Sequence, residues 1–165
     1  MEQVCNLPSH PKLRQVTNLP HVTMKISART QYACLAMMEL AARYGEGRPV
    51  QLRVIAEQHN IPSHFLVQIL LQLKAAGFVS SSRGASGGYR LVRSPEKITL
   101  REIMAVIEGD EAGTEEQLAG GSRPTQVLCR AWCDARDARL ASLDSVTLEE
   151  LVEQTGPTAD RMYYI

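Results

Sequence analysis

Side chains able to meet a polyanion or a metal fall in three short stretches. Residues 63–76 carry Ser63, His64, Phe65, Val67, Gln68, Gln72 and Lys74 around an apolar stripe with helical spacing. A glutamine amide can pair bidentately with adenine, histidine and serine can reach base edges or phosphate oxygens, and lysine meets phosphate as a point charge. The second stretch, Arg83-Gly84-Ala85-Ser86-Gly87-Gly88-Tyr89, sets a guanidinium at the entry of a glycine-rich turn. Glycines there let backbone amides approach a sugar–phosphate surface without a Cβ in the way. The third is Cys129 and Cys133, four apart and so on one face of a helix. They could bind a metal shared between two subunits, form a redox-sensitive link, or pack as small apolar residues. Two ligands do not make a tetrahedral site. The other cysteines are expected in the core (Cys34) and in an N-terminal extension (Cys5), and His59, His10 and His21 at a helix end and in that extension. There is no Ser/His/Asp order or metal-hydrolase helix, and the glycine-rich turn lacks the Lys-Ser/Thr of a P-loop; an enzyme is not expected.

These groups need elements to position them. From Ser27, a candidate N-cap, residues 29–44 place Ala33, Met37, Leu40, Ala41 and Tyr44 at three- and four-residue spacings, the pattern of an amphipathic helix. A short helix over 53–59 turns Val54 and Ile55 inward, and Asn60-Ile61-Pro62 ends it. Ser63 is expected to cap a third helix to about Ala76, with Phe65, Leu66, Ile69, Leu70 and Leu73 as its apolar stripe and Gly77 at its end. Strand formers at 78–82 and 89–92 flank the glycine-rich turn and predict a β-hairpin. Thr99 with Glu102, and Thr147 with Glu150, read as capping boxes opening two further helices. Between them lie an acidic, glycine-rich loop over 109–124 and a longer helix over 125–143 carrying Val127, Leu128, Ala131, Trp132, Ala135, Ala138 and Leu140. The fold class is therefore mainly α with a small β-hairpin. Three short helices followed at once by a hairpin make a winged helix-turn-helix, whose third helix enters the major groove while the wing reaches the minor groove or backbone.

With 165 residues, 44% hydrophobic and 22% charged, the chain has the bulk of a single ordinary globular domain, or of one domain with an appended helix. No apolar run is long enough to cross a bilayer, so no membrane partner is expected. The formal net charge of zero hides an asymmetry. Residues 24–98 hold ten Lys/Arg against four Asp/Glu, and residues 99–165 hold six against thirteen. A basic half is the footprint of a polyanion-binding surface. Four cysteines without an export signal in residues 1–23 point to a reducing compartment, with the cytoplasm as the expected location. The expected organisation is a flexible extension over 1–23, a DNA-binding domain over 24–98, an effector loop and dimerisation helices over 99–155, and a tail over 156–165.

Three segments together, Met24-Lys25-Ile26-Ser27-Ala28-Arg29-Thr30-Gln31-Tyr32-Ala33, Ile61-Pro62-Ser63-His64-Phe65-Leu66-Val67-Gln68-Ile69-Leu70, and Gly77-Phe78-Val79 with the Arg83 to Tyr89 turn, closely resemble the bacterial family of iron–sulfur and redox-responsive winged-helix regulators. Its members include an iron–sulfur cluster assembly regulator, a nitric-oxide-sensing repressor and a cysteine-metabolism repressor. The resemblance spans about residues 24–153. It implies a DNA-reading segment over 52–75, a wing over 79–92, and a helix over 125–143 that crosses its mate in a homodimer. It also implies a repressor on a palindromic double-stranded operator, with a small-molecule or redox effector. Cluster-binding relatives place three cysteines in the loop before the dimer helix and a further ligand, often histidine, near that helix's start. Here the 109–124 loop has no cysteine. With the helices aligned through Trp132, Cys129 falls near the non-cysteine ligand, and about Gln126 replaces the third cysteine. No conventional iron–sulfur cluster is therefore expected as a cofactor. Two other readings stay open at this point: an adaptor that keeps the fold without binding DNA, and a redox- or metal-sensing regulator using Cys129 and Cys133.

Overall fold

The computed structural model describes residues 26–84, 86–109 and 121–156. The expected extension over 1–23, most of the effector loop, Ala85 and the tail beyond 156 lie outside these residues.

Helix α1 (Ala28–Ala42) begins where Ser27 accepts a hydrogen bond from the Thr30 amide at 3.2 Å. Its Ala33, Ala36, Met37 and Leu40 form the i, i+3, i+4, i+7 stripe that the core closes over. Tyr44, expected on that face, stands beyond the helix in a 3₁₀ turn, Tyr44–Glu46, and is exposed. Helix α2 (Leu52–Gln58) buries Ile55 and stops at Asn60, whose φ of 51° is a left-handed stop.

Helix α3 (Ser63–Ala75) buries Leu66, Ile69, Leu70 and Leu73. Two expectations change here. Ser63 is the first helical residue and not the cap; Pro62 precedes the helix and its carbonyl accepts from the Phe65 and Leu66 amides at 3.0 and 3.2 Å. A hydroxyl at the first helical position lies too far along to replace a cap one residue earlier. Phe65 is not in the stripe either. It lies one residue before Leu66, about 100° around a helix of 3.6 residues per turn, and is 49% exposed. Gly77, at φ 79°, turns the chain out of the helix.

Strands β1 (Val79–Ser82) and β2 (Gly88–Leu91) pair antiparallel, Ser80 opposite Arg90 and Ser81 opposite Tyr89. A third backbone segment joins them. Val50 exchanges two hydrogen bonds with Tyr89, at 2.7 and 2.8 Å. Gly88 is required at that seam, because a Cβ there would sit 2.6 Å from the Val50 carbonyl carbon, and at Gly87 2.8 Å from the Arg83 carbonyl carbon. Backbone on both sides cannot yield cheaply. Gly88→Ala should cost about 2–3 kcal/mol of stability, the range of a forced overpacking. Urea denaturation checks this, and a loss within about 0.5 kcal/mol of zero, the range of neutral surface changes, would contradict the seam.

Helix α4 (Leu100–Glu108) and helix α6 (Leu148–Gln154) both open with complete capping boxes, Thr99 with Glu102 and Thr147 with Glu150. The two caps are bridged to each other, Leu148 N–H donating to Ile98 at 2.9 Å and Leu100 N–H to Val146 at 3.0 Å. Between them helix α5 (Arg123–Asp144) runs 22 residues, and none of its side chains is buried. Asp144 fixes its far end by accepting from Thr99 and Arg101, each at 3.2 Å. α1, α3, α4 and α6 enclose the core around Met37, Leu70, Ile98, Ile103 and Leu148.

Candidate nucleic-acid interface

With Leu66, Ile69, Leu70 and Leu73 committed to the core, α3 must turn its other side to solvent. Ser63, His64, Phe65, Gln68 and Lys74 are all exposed there. The His64 and Phe65 rings lie against each other with centroids 4.2 Å apart. Gln72 is set apart from this group: it is half-buried, and its amide oxygen is enclosed without a partner among the described residues. Leu71 stands outside the expected set yet is 50% exposed, three residues from Gln68 and seven from His64. Its signal in the sequence is that it misses the 66/69/70/73 stripe, which leaves an apolar side chain on the outer face.

Lys74 connects the helix to the wing. Its Nζ donates to Ser81 Oγ of β1 at 2.7 Å. An ammonium has three N–H bonds, so the charge stays available to a phosphate while the hydrogen bond fixes wing and helix as one face. Arg83, Gly84 and Ser86 are exposed at the hairpin end, with Gly84 at φ 103°. Gly87, Gly88 and Tyr89 are placed differently. Gly87 N–H is turned back to Gly84 at 3.0 Å, and the Tyr89 amide is taken by Val50. Close approach within the chain itself accounts for the absence of a Cβ at both glycines. At the wing's base Arg93 lies over the Phe78 ring, 5.4 Å from its centroid, and donates to Glu102 at 2.9 Å, so β2 is tied to α4.

The acidic end of α4 is tied back to α1. Glu108 accepts from Thr30 Oγ1 at 2.6 Å and from Ser27 Oγ at 2.9 Å. The Thr30 hydrogen bond holds the Glu108 carboxyl below the usual carboxylate range, against the opposing effect of burial. Nearby Cys34 is packed against the core, and burial, then the Glu108 charge, push its thiol up to about 11. At neutral pH it is a protonated packing group.

Cys129 and Cys133 are both half-buried on α5. Among the described residues no group of three His, Cys, Asp or Glu could hold a metal ion. Two thiols one turn apart, with the third described cysteine locked in α1, do not fit an iron–sulfur cluster within one subunit.

Three short helices, the third hydrogen-bonded to a two-stranded wing, make a winged helix-turn-helix fold. Residues 26–154 match the Rrf2 family, described as "Iron-dependent Transcriptional regulator". The chain is 40% identical over 143 residues to the HTH-type transcriptional regulator CymR of Bacillus subtilis (strain 168), covering 86% of this chain and all of that one. The solved structure of that global cysteine regulator of B. subtilis superposes with a TM-score of 0.69, covering 79% of this chain and 98% of the other at 40% identity. That of T. potens IscR gives 0.68 at 33% identity, over 86% and 98%. The chain belongs to the Rrf2 family. It is a transcriptional regulator and not an enzyme. No helix among the described residues is long and apolar enough to cross a membrane.

Proposed function

We propose that the protein binds a roughly palindromic operator as a homodimer and acts there as a repressor in the cytoplasm. The observation that carries the DNA-binding reading is the Lys74–Ser81 hydrogen bond, which makes α3 and the wing one exposed face. On that face Gln68 reads a base edge, Lys74 and Ser63 hold phosphates, His64 and Phe65 lie at the entry to the groove, and Leu71 offers an apolar contact for a thymine methyl. Arg83, flanked by Gly84 and Ser86, reaches the minor groove or its phosphates, while Gly87, Gly88 and Tyr89 set the wing's shape.

The dimer reading rests on α5. Val127, Leu128 and Trp132 are 66%, 58% and 70% exposed, on a helix with no buried residue. Large apolar side chains beside exposed Ala131, Ala135 and Ala138 form a face that water covers in one subunit and a second copy of α5 can cover in two. Two-fold symmetry then sets the half-sites about one helical turn apart.

Gln68→Ala should lower discrimination at one base position per half-site by about 1–3 kcal/mol while leaving binding to unrelated duplexes nearly unchanged. Gel-shift titrations against operators altered at each position check it. A uniform loss over all sequences would move Gln68 to the backbone. An adaptor without DNA affinity would give no shift even at low salt.

A further inference from the structure

Where the wing meets the end of α1 there is a cleft of about 510 Å³, walled by Arg43, Tyr44, Arg48, Tyr89, Arg90 and Val92. Its floor is apolar, from buried Leu40, Val50 and Leu91. Three arginines therefore border one cleft whose floor is hydrocarbon. Arg43 is neutralised by Glu39, 2.6 Å away. Arg48 and Arg90 have no carboxylate partner among the described residues; Arg90 Nε donates to Ser80 Oγ at 3.2 Å, which leaves its terminal nitrogens open. No acidic side chain lines the cleft.

Arg90 is turned away from the face that α3 presents. Ser81 is the residue that Lys74 of α3 holds, and Ser80, its neighbour in β1 and the partner of Arg90, points to the opposite side of the sheet. A duplex seated on α3 lies across the sheet from Arg90. The volume of the cleft is that of a metabolite site.

We propose that this cleft binds a small organic carboxylate with an apolar body, the carboxylate paired with Arg48 and Arg90 and the body resting on Leu40, Val50 and Leu91. Both strands of the wing and the Val50 segment line the cleft, so the ligand bridges the wing to the end of α1 and bears on the wing's angle. The site stands independently of the operator and of the dimer.

The test is ligand-observed NMR on the full chain with phenylacetate and benzoate, the neutral phenylacetamide, acetate, and inorganic phosphate. The expected result is binding of the aromatic carboxylates, no binding of phenylacetamide, and at least a tenfold weaker affinity for acetate and phosphate. In the R48Q/R90Q variant, whose altered side chains are exposed, carboxylate affinity should fall at least tenfold with an unchanged thermal melting curve. Saturating duplex DNA should leave the carboxylates bound. Failure of every carboxylate to bind, equal binding of phenylacetamide, retention of binding in R48Q/R90Q, or displacement by duplex would each overturn the proposal, displacement by assigning the arginines to the DNA backbone.

Discussion

Replacing Ala131 by glutamate is expected to leave a folded monomer that has lost operator binding by about a hundred- to a thousandfold. Ala131 lies on the outer side of α5 beside Val127 and Leu128, lining the apolar recess at the helix's start together with Arg123 and Pro124. It is exposed and none of α5 is buried, so the substitution has no core to disturb within one subunit. Between two copies of α5, a carboxylate would be buried without a partner, once in each subunit, at a cost of several kcal/mol per charge. A monomer keeps one half-site and loses the effective concentration that the linked partner supplies, about two to four orders of magnitude in avidity. Light scattering after size exclusion should report 18.3 kDa for the variant and twice that for the parent. A variant that still runs as a dimer, or a parent that is already a monomer, removes α5 from the assembly.

Arg83→Ala should weaken operator binding about a hundredfold at fixed salt, since each wing loses a contact worth roughly tenfold and the dimer carries two, with additivity between distant sites. The guanidinium is exposed at the hairpin's end and holds up no part of the core. The thermal transition should therefore stay where it is while affinity drops. Removing one phosphate contact per wing should also lower the slope of log affinity against log salt by about two. Arg83→Lys should restore most of the salt slope and little of the affinity if the fork geometry matters. Unchanged affinity for Arg83→Ala would take the wing out of the mechanism and leave α3 alone as the reader.

What the sequence disclosed was mostly what is local. Thr99 with Glu102 and Thr147 with Glu150 specify two helix starts because each pair satisfies its own backbone amides, and both caps are formed. The 66/69/70/73 stripe fixes which side of α3 faces inward, and hence the exposure of His64 and Gln68. Less legible was anything that depends on a neighbour far along the chain. Gly88 looks like a wing glycine made for DNA, but its lack of a Cβ is demanded by Val50, thirty-eight residues earlier and invisible to spacing. Ser63 has the right chemistry for a cap, yet Pro62 already supplies the turn and the carbonyl, so the hydroxyl falls one place late. Gln72 and Lys74 look equally available on a helical projection. Only the packed structure half-buries the first and bonds the second to the wing. The arginine cleft is illegible in sequence for the same reason: Arg43 and Arg48 come from the stretch that ends α1 and Arg90 from β2, and the Val50–Tyr89 bridge draws the two together.

Selection of the full-length protein against random duplex DNA, followed by titration of the winning sequence, tests most directly whether α3 and its wing form a reading face displayed twice. The account predicts an inverted repeat with arms about one helical turn apart, two protomers per duplex, and affinity falling steeply with salt. No enriched sequence at low ionic strength, or a single unrepeated half-site bound by one protomer, would contradict it.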